Sequence, residues 1–207
     1  MSGKLQAIET YYSNKINEHG ASPKGVDWNG TNSQNIRFEQ LCKILPADHE
    51  QTFSLNDLGC GYAALIDYLK PQRPDFKYIG YDLSEKMIEH GVNRNKHFKN
   101  IEFQCSDNIT VQSDFSVASG IFSVKLDESD DAWLNHIKSI LHNIDTQSSK
   151  GFAFNCLTKY SDADKIMPHL YYADPAEIFH FCKQNYSRNV ALLHDYDLYE
   201  FTILVRK

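Results

Sequence analysis

Leu55-Asn56-Asp57-Leu58-Gly59-Cys60-Gly61-Tyr62 and, one structural unit later, Tyr78-Ile79-Gly80-Tyr81-Asp82-Leu83-Ser84 decide the fold. In the first run an apolar strand ends on an acid and turns through two glycines into a helix. In the second an apolar strand ends on another acid. Glycine adopts backbone conformations that a Cβ forbids, and it lets a ligand come close to the chain. An acid at the tip of the following strand is placed to grip ribose hydroxyls. The two runs together outline a cleft for a nucleoside-bearing ligand.

Outward from this pair, strands and helices alternate. Residues 53–58, 76–81, 101–105, 115–119 and 151–157 read as strands, and 62–70 as a helix closed by Pro71. Ser84 caps the next helix, with Met87, Ile88, Gly91 and Val92 turned inward. Trp133, Leu134, Ile137, Ile140, Leu141 and Ile144 form an apolar stripe at helical spacing. Asp174-Pro175-Ala176-Glu177 combines a cap, a first-turn proline and a capping-box acid. The final strands, 189–193 and 198–205, are too close for a helical crossover and must pair antiparallel. Ahead of the first strand, Leu5, Ile8, Tyr12 and Ile16 mark a helix stopped by Gly20. A polar loop over 21–32 follows, and then a helix from about Ser33 to Pro46. The expected architecture is α/β: a Rossmann-like, doubly wound, seven-stranded sheet, mostly parallel, with a C-terminal antiparallel hairpin. Residues 1–32 would form an N-terminal helical cap and 33–207 the core of one domain, with 159–172, rich in Tyr and charge, as a substrate lid.

Composition narrows the function. A chain of 207 residues, 42% hydrophobic and 23% charged, suits one soluble domain. A net charge of -6 disfavours a broad grip on nucleic acid phosphates. No apolar run is long enough to span a bilayer, and Met1-Ser2-Gly3-Lys4-Leu5-Gln6 lacks the apolar core of a leader, so the expectation is a cytoplasmic protein. The five cysteines are scattered, none in a Cys-x-x-Cys pair, and read as reduced. The nine histidines show no metal-ligand spacing beside a cysteine, and no metal is expected. Nothing in the sequence sets the oligomeric state.

Asp57, Gly59 and Gly61, with Ala63 where a third glycine would stand, and Asp82 after the second strand resemble the cofactor site of class I S-adenosylmethionine (SAM)-dependent methyltransferases. The terminal hairpin fits the same family. The resemblance implies SAM as cofactor, with S-adenosylhomocysteine (SAH) as product. It implies that the loop Gly59-Cys60-Gly61 passes under the methionine part, with Asp57 near its ammonium. Asp82, after Tyr81, would take both ribose hydroxyls, and Leu83 would lie against adenine. Asp107, in Ser106-Asp107-Asn108, would accept from the adenine amino group. Gly120 would let the backbone approach the sulfonium region, Ile121 and Phe122 would wall the cofactor, and Ser119 beside them is a further cofactor-binding candidate. Arg37, whose fork suits a carboxylate, is the candidate for the methionine carboxylate. Tyr11 and Tyr12 are candidates to close over the cofactor, or to pack in the core.

No Asn/Asp-Pro-Pro-Tyr/Phe run follows Ser119-Gly120, which the resemblance reads as a small-molecule acceptor. His194, at the end of the penultimate strand, is the leading candidate base, since imidazole is the side chain that titrates near neutrality. His169 and Tyr11 are further catalytic candidates, His19 a weaker one, Tyr171 and Tyr172 candidates for an aromatic pocket, and Asn155 for orienting an acceptor. Three alternatives stay open. Gly59-x-Gly61-x-x-Ala64 satisfies a loose dinucleotide fingerprint, although Asp57 would repel a pyrophosphate. A SAM-binding protein without catalysis and a protein acceptor are the other two.

Overall fold

A computed structural model describes residues 3–28, 30–73 and 75–207; Met1 and Ser2 of the N-terminal run and Asn29 of the loop lie outside the described residues. Helix α1, Gly3–His19, precedes a short 3-10 turn, Pro23–Val26, and α2, Thr31–Cys42. The alternating core follows as β1 Ser54–Leu58, α3 Ala64–Leu69, β2 Lys77–Asp82, α4 Glu85–Asn95, β3 Ile101–Cys105 and β4 Ser113–Ala118. It closes with α5 Asp130–Thr146, β5 Ser148–Leu157, α6 Pro175–Asn185, β6 Asn189–Leu193 and β7 Glu200–Arg206.

The seven strands form one sheet in the order β3-β2-β1-β4-β5-β7-β6. The first five pair in parallel, and β7 runs antiparallel to both β5 and β6. From β1 the chain winds outward to β2 and β3, then returns to β4 on the other side of β1. That reversal is the switch point at which open α/β sheets bind ligands, beyond the carboxyl ends of the strands. Alternation along the strands builds two cores. On β5 and β7, Phe152, Phe154, Phe201, Ile203 and Val205 join the α5 and α6 side, whereas Ala153 and Leu204 join the α2 and α3 side. The α5 stripe is fully inside at Trp133, Ile137, Leu141 and Ile144, and Trp133 Nε1 donates to the Phe122 carbonyl at 2.8 Å.

Ser84 caps α4, accepting from Met87 N–H, and Asp174 caps α6, accepting from Ala176 N–H. Several boundaries differ from expectation. Helix α3 starts two residues late because Ala63 takes a left-handed conformation at φ 65°. Strand β5 reaches back to Ser148, and α2 starts at Thr31. Val92 is 46% exposed rather than inward. The inward line of α4 is Met87, Gly91 and Asn95 at four-residue spacing. A Cβ on Gly91 would lie 2.7 Å from the Phe103 ring, so glycine is what lets this helix approach β3.

The segment 159–172 docks on residues 123–126. The Ser123 carbonyl accepts from Tyr171 N–H, and the His169 carbonyl accepts from Lys125 and Leu126 N–H. Tyr171 packs into the core, and Tyr172 hydrogen-bonds within its own segment, to Lys165 and Met167. Neither lines the cavity beyond the ends of β1 and β4.

Candidate functional site

Beyond the carboxyl ends of β1 and β4 lies a cavity with about 1110 Å³ of empty space, part of it open to solvent. Its floor is the turn after β1. Gly59 and Gly61 hold positive φ values of 75° and 53°. A Cβ on Gly59 would fall 2.1 Å from Ile121 Cγ2, so a side chain there would displace the loop after β4. The N–H groups of Gly59 and Cys60 both donate to the Tyr81 carbonyl, at 2.7 and 2.9 Å, which ties the turn to the end of β2. Gly61 N–H donates to Asp82 Oδ2 at 2.9 Å, while Ser84 N–H donates to Oδ1 at 2.9 Å. The two runs that decide the fold are thus joined through the second acid.

Both acids line the cavity. Asp57 is almost completely buried and accepts from Tyr78 OH at 2.7 Å. Burial pushes its carboxyl up to about 7, against the Tyr78 hydrogen bond and with the help of the nearby Asp82 charge. Burial likewise raises Asp82, opposed by its backbone donors, and Glu9 raises it further. Cys60, Leu83, Ser106, Asp107, Ser119, Gly120 and Ile121 also line the cavity, so it gathers nearly all of the expected cofactor residues. Tyr81 is the exception on β2: it is fully buried behind the lining. The Ser119 hydroxyl is buried and has no hydrogen-bond partner among the described residues.

Arg37 does not line the cavity. Its Nε donates to both oxygens of Glu200 at 2.8 Å, and Nη2 donates to Oε1. Both residues are buried, at 9% and 6% exposure, so the fork is occupied by a carboxylate of the chain itself. Glu200 Oε2 in turn accepts from Asn155 Nδ2, and Asn155 Oδ1 accepts from Gly120 N–H, each at 2.7 Å. The Arg37 guanidinium also lies over the Trp28 ring, 4.7 Å from its centroid. A Cβ on Gly120 would sit 3.2 Å from Trp28 Nε1. These contacts close a circuit, Gly120–Asn155–Glu200–Arg37–Trp28, around the loop that follows β4. One turn earlier on α2, Gln34 lines the cavity and accepts from Tyr62 OH at 3.2 Å.

The roof is α1, which contributes Leu5, Ile8, Glu9 and Tyr12 to the lining, while Val26 and Trp28 come from the loop behind it. Tyr11 stands just outside, edge-on to Tyr12, and donates to Asp27. Asp27, at φ 62°, also accepts from Lys15 at 2.6 Å. Burial works against its charge, but the Lys15 and Tyr11 hydrogen bonds hold its carboxyl below the ordinary range, and His169 adds to this electrostatically. Tyr11 therefore reaches Asp27 directly, whereas His169 bears on it only through its charge. His194 does not join them. It is exposed, with Tyr160 and Phe201 rings 6.1 Å away. The end of β6 does face the cavity side of the sheet, but three strand spacings, about 14 Å, separate it from β4.

Glu9, Trp28, Gln34 and His136 were missed as lining residues. His136 rests on Trp133, 4.9 Å between ring centroids, one turn before Ile140. The polar residues flanking the apolar stripes of α1 and α5 carried this signal. Among the described residues no cluster of His, Cys, Asp and Glu has the makings of a metal site, and no helix is long and apolar enough to cross a membrane.

A family model for a methyltransferase domain matches residues 56–143, from β1 into α5. The chain is 52% identical over 155 residues to the Mycobacterium tuberculosis (strain ATCC 25618 / H37Rv) protein "Putative methyltransferase Rv1506c", covering 75% of this chain and 93% of that one. The "DhpI-SAM-HEP complex" aligns over all of both chains with a TM-score of 0.69 at 14% identity. The N-methyltransferase NodS from Bradyrhizobium japonicum WM9 aligns over 86% of this chain and 97% of its own, with a TM-score of 0.60 at 12% identity. Identity across nearly the whole of a methyltransferase relative, on a sheet of this order with an acid-tipped glycine turn at its switch point, places the chain in the class I SAM-dependent methyltransferases.

Proposed function

We propose that the cavity holds SAM and that the enzyme methylates a small molecule entering beside Trp28. The observation that carries this reading is the hydrogen bond from Gly61 N–H to Asp82, which locks a ligand-accessible glycine turn and a ribose-accepting carboxylate into one cleft. The residues present fit the cofactor. Glu9, Asp57, Asp82 and Asp107 all line the cavity, and no Lys or Arg does so among the described residues, which suits a ligand with two cationic centres. The partnerless Ser119 hydroxyl is a further polar group that a ligand would satisfy.

In this reading Asp82 accepts from the ribose, Asp57 faces the ammonium, and Gln34 replaces Arg37 as donor to the methionine carboxylate. Leu83 and Ile121 flank adenine, with Ser106 and Asp107 at its polar edge. Bound there, SAM supplies an electrophilic methyl group on sulfur, open to in-line attack by the acceptor. The chain's own contribution is alignment. The circuit from Arg37 to Gly120 stiffens the wall against which the acceptor is held, and positioning of reactants is worth up to about 7–11 kcal/mol of barrier. Tyr11, Asp27 and His169 are the groups we assign to orienting the acceptor or taking its proton. Trp28, Phe38 and Val26 give the lining beside them an apolar wall suited to a compact organic acceptor.

Titration calorimetry with SAM, SAH and NAD tests the cofactor; binding of NAD with no binding of SAM or SAH would refute it. Incubation with methyl-labelled SAM and a metabolite pool tests the acceptor. Label entering a small molecule supports the proposal, whereas label entering only protein overturns that part of it.

A further inference from the structure

Glu9 is the least expected group in the cavity. It lies on α1, outside the segment matched by the methyltransferase family model, and next to the apolar stripe that seats this helix. Two contacts register α1 on α4. Lys86 Nζ donates to Asn17 Oδ1 at 2.9 Å, and the hydroxyls of Ser13 and Ser84 meet at 2.9 Å. Ser13 Oγ gives its one proton to Glu9 Oε1 at 2.6 Å, so Ser84 must be the donor in the hydroxyl pair. Ser84 N–H donates to Asp82 Oδ1. A short chain, Glu9–Ser13–Ser84–Asp82, thus spans the gap between roof and floor and holds two carboxylates over one cavity.

Such an arrangement is unfavourable unless donors come between the charges. Asp82 accepts backbone N–H groups on both oxygens, and Leu83 N–H adds to them, but a carboxylate offers about four acceptor sites, so room for a further donor remains. Glu9 Oε2 has no hydrogen bond among the described residues. A vicinal diol brings two O–H donors and no charge, so it satisfies carboxylate acceptors without adding repulsion.

We infer that Glu9 is a cofactor-binding residue of the roof, and that its carboxylate and that of Asp82 hold the ribose diol from opposite sides. The inference rests on the SAM reading above. Bound ligand then ties α1 to the sheet, so the roof helix is part of the binding site rather than a cover over it.

The test is calorimetry with SAH and with its 2′-deoxy and 3′-deoxy forms, on the parent, Glu9→Gln, Glu9→Ala and Asp82→Asn. Glu9→Ala is expected to weaken SAH about tenfold, the usual scale for a hydrogen bond to a charged group. Glu9→Gln, which keeps a neutral acceptor, should lose less. In Glu9→Ala, removing the hydroxyl that Glu9 accepts should have little further effect, because that contact is already gone. Unchanged SAH affinity in Glu9→Ala overturns the inference. So does an equal weakening of SAH and both deoxy forms, since Glu9 would then act through helix packing. Failure of the parent to bind SAH would instead refute the SAM reading itself. Alanine favours helix, and circular dichroism on both Glu9 variants confirms that α1 persists.

Discussion

Asp57→Asn is the substitution whose outcome follows most directly from the structure. A carboxyl near 4 in the unfolded chain and at about 7 in the folded one binds more protons in the folded state between those values. Stability must therefore fall as pH rises through that window. At about 1.4 kcal/mol per unit, the ionised, buried Asp57 costs about 4 kcal/mol above pH 7, of which about 3 kcal/mol is lost between pH 5 and 8. That is a large share of a typical domain stability of about 5–15 kcal/mol. Asparagine keeps the shape and can still accept from Tyr78 OH, but it does not titrate. Any fixed cost of the amide cancels when the same pair of proteins is compared at two pH values. Urea unfolding at pH 5 and pH 8, followed by tryptophan fluorescence, should show the variant gaining about 3 kcal/mol on the parent from the lower pH to the higher. Parallel pH curves would mean that Asp57 is ionised throughout at an ordinary carboxylate pKa, and the account of its desolvation would fail. If the gain appears and SAH affinity falls in the same variant, the acid is present for the ligand's ammonium and at the expense of the fold.

The other expectations concern the same cleft. Asp82→Ala should weaken SAM and SAH at least tenfold while the domain still unfolds cooperatively; unchanged affinity would remove the ribose assignment. Glu200→Gln leaves the Arg37 charge buried without a counter-ion, and urea unfolding should show a loss of about 3 kcal/mol or more; a loss below about 1 kcal/mol would mean that the pair is effectively solvated. Gly120→Ala meets both a positive φ of 76° and the Trp28 indole, so a destabilisation of about 1–2 kcal/mol together with a shift in tryptophan emission is expected. An emission spectrum identical to the parent's would show that Trp28 does not rest on this glycine.

Much of this molecule was legible because its local signals agree with one another. The caps at Ser84 and Asp174, the stripe of α5 and the acid-glycine turn are each short-range, and each was read correctly without knowledge of the rest. Arg37 shows where such reading stops. The family resemblance and the fork of its guanidinium suggested a ligand carboxylate, but the carboxylate it meets is Glu200, 163 positions away, on a strand whose pairing with β5 no local pattern reveals. His194 fails for a related reason. A strand end tells which edge of the sheet a residue occupies, whereas distance from the cleft depends on strand order, and β7 and β5 intervene. Trp28 was hidden inside a run whose glycines, proline and polar residues read as loop. That reading holds for the backbone and says nothing of an indole that folds back onto Gly120.

On α1 the apolar stripe, Ile8 and Ile16 above all, determines which face meets the core, and a periodicity analysis assigns the charged residues between to solvent. That assignment assumes that whatever lies beside the buried face is open solvent. At a switch-point cleft it is instead a cavity lined by carboxylates, and the flank of the same stripe faces that cavity. The residue types that make α1 look like an ordinary surface helix are then the ones that suit a roof over a cationic cofactor. The helix is seated by Ile8 and Ile16, registered on α4 by Ser13 and Asn17, and left with Glu9 lining the same cavity as the acid that ends β2.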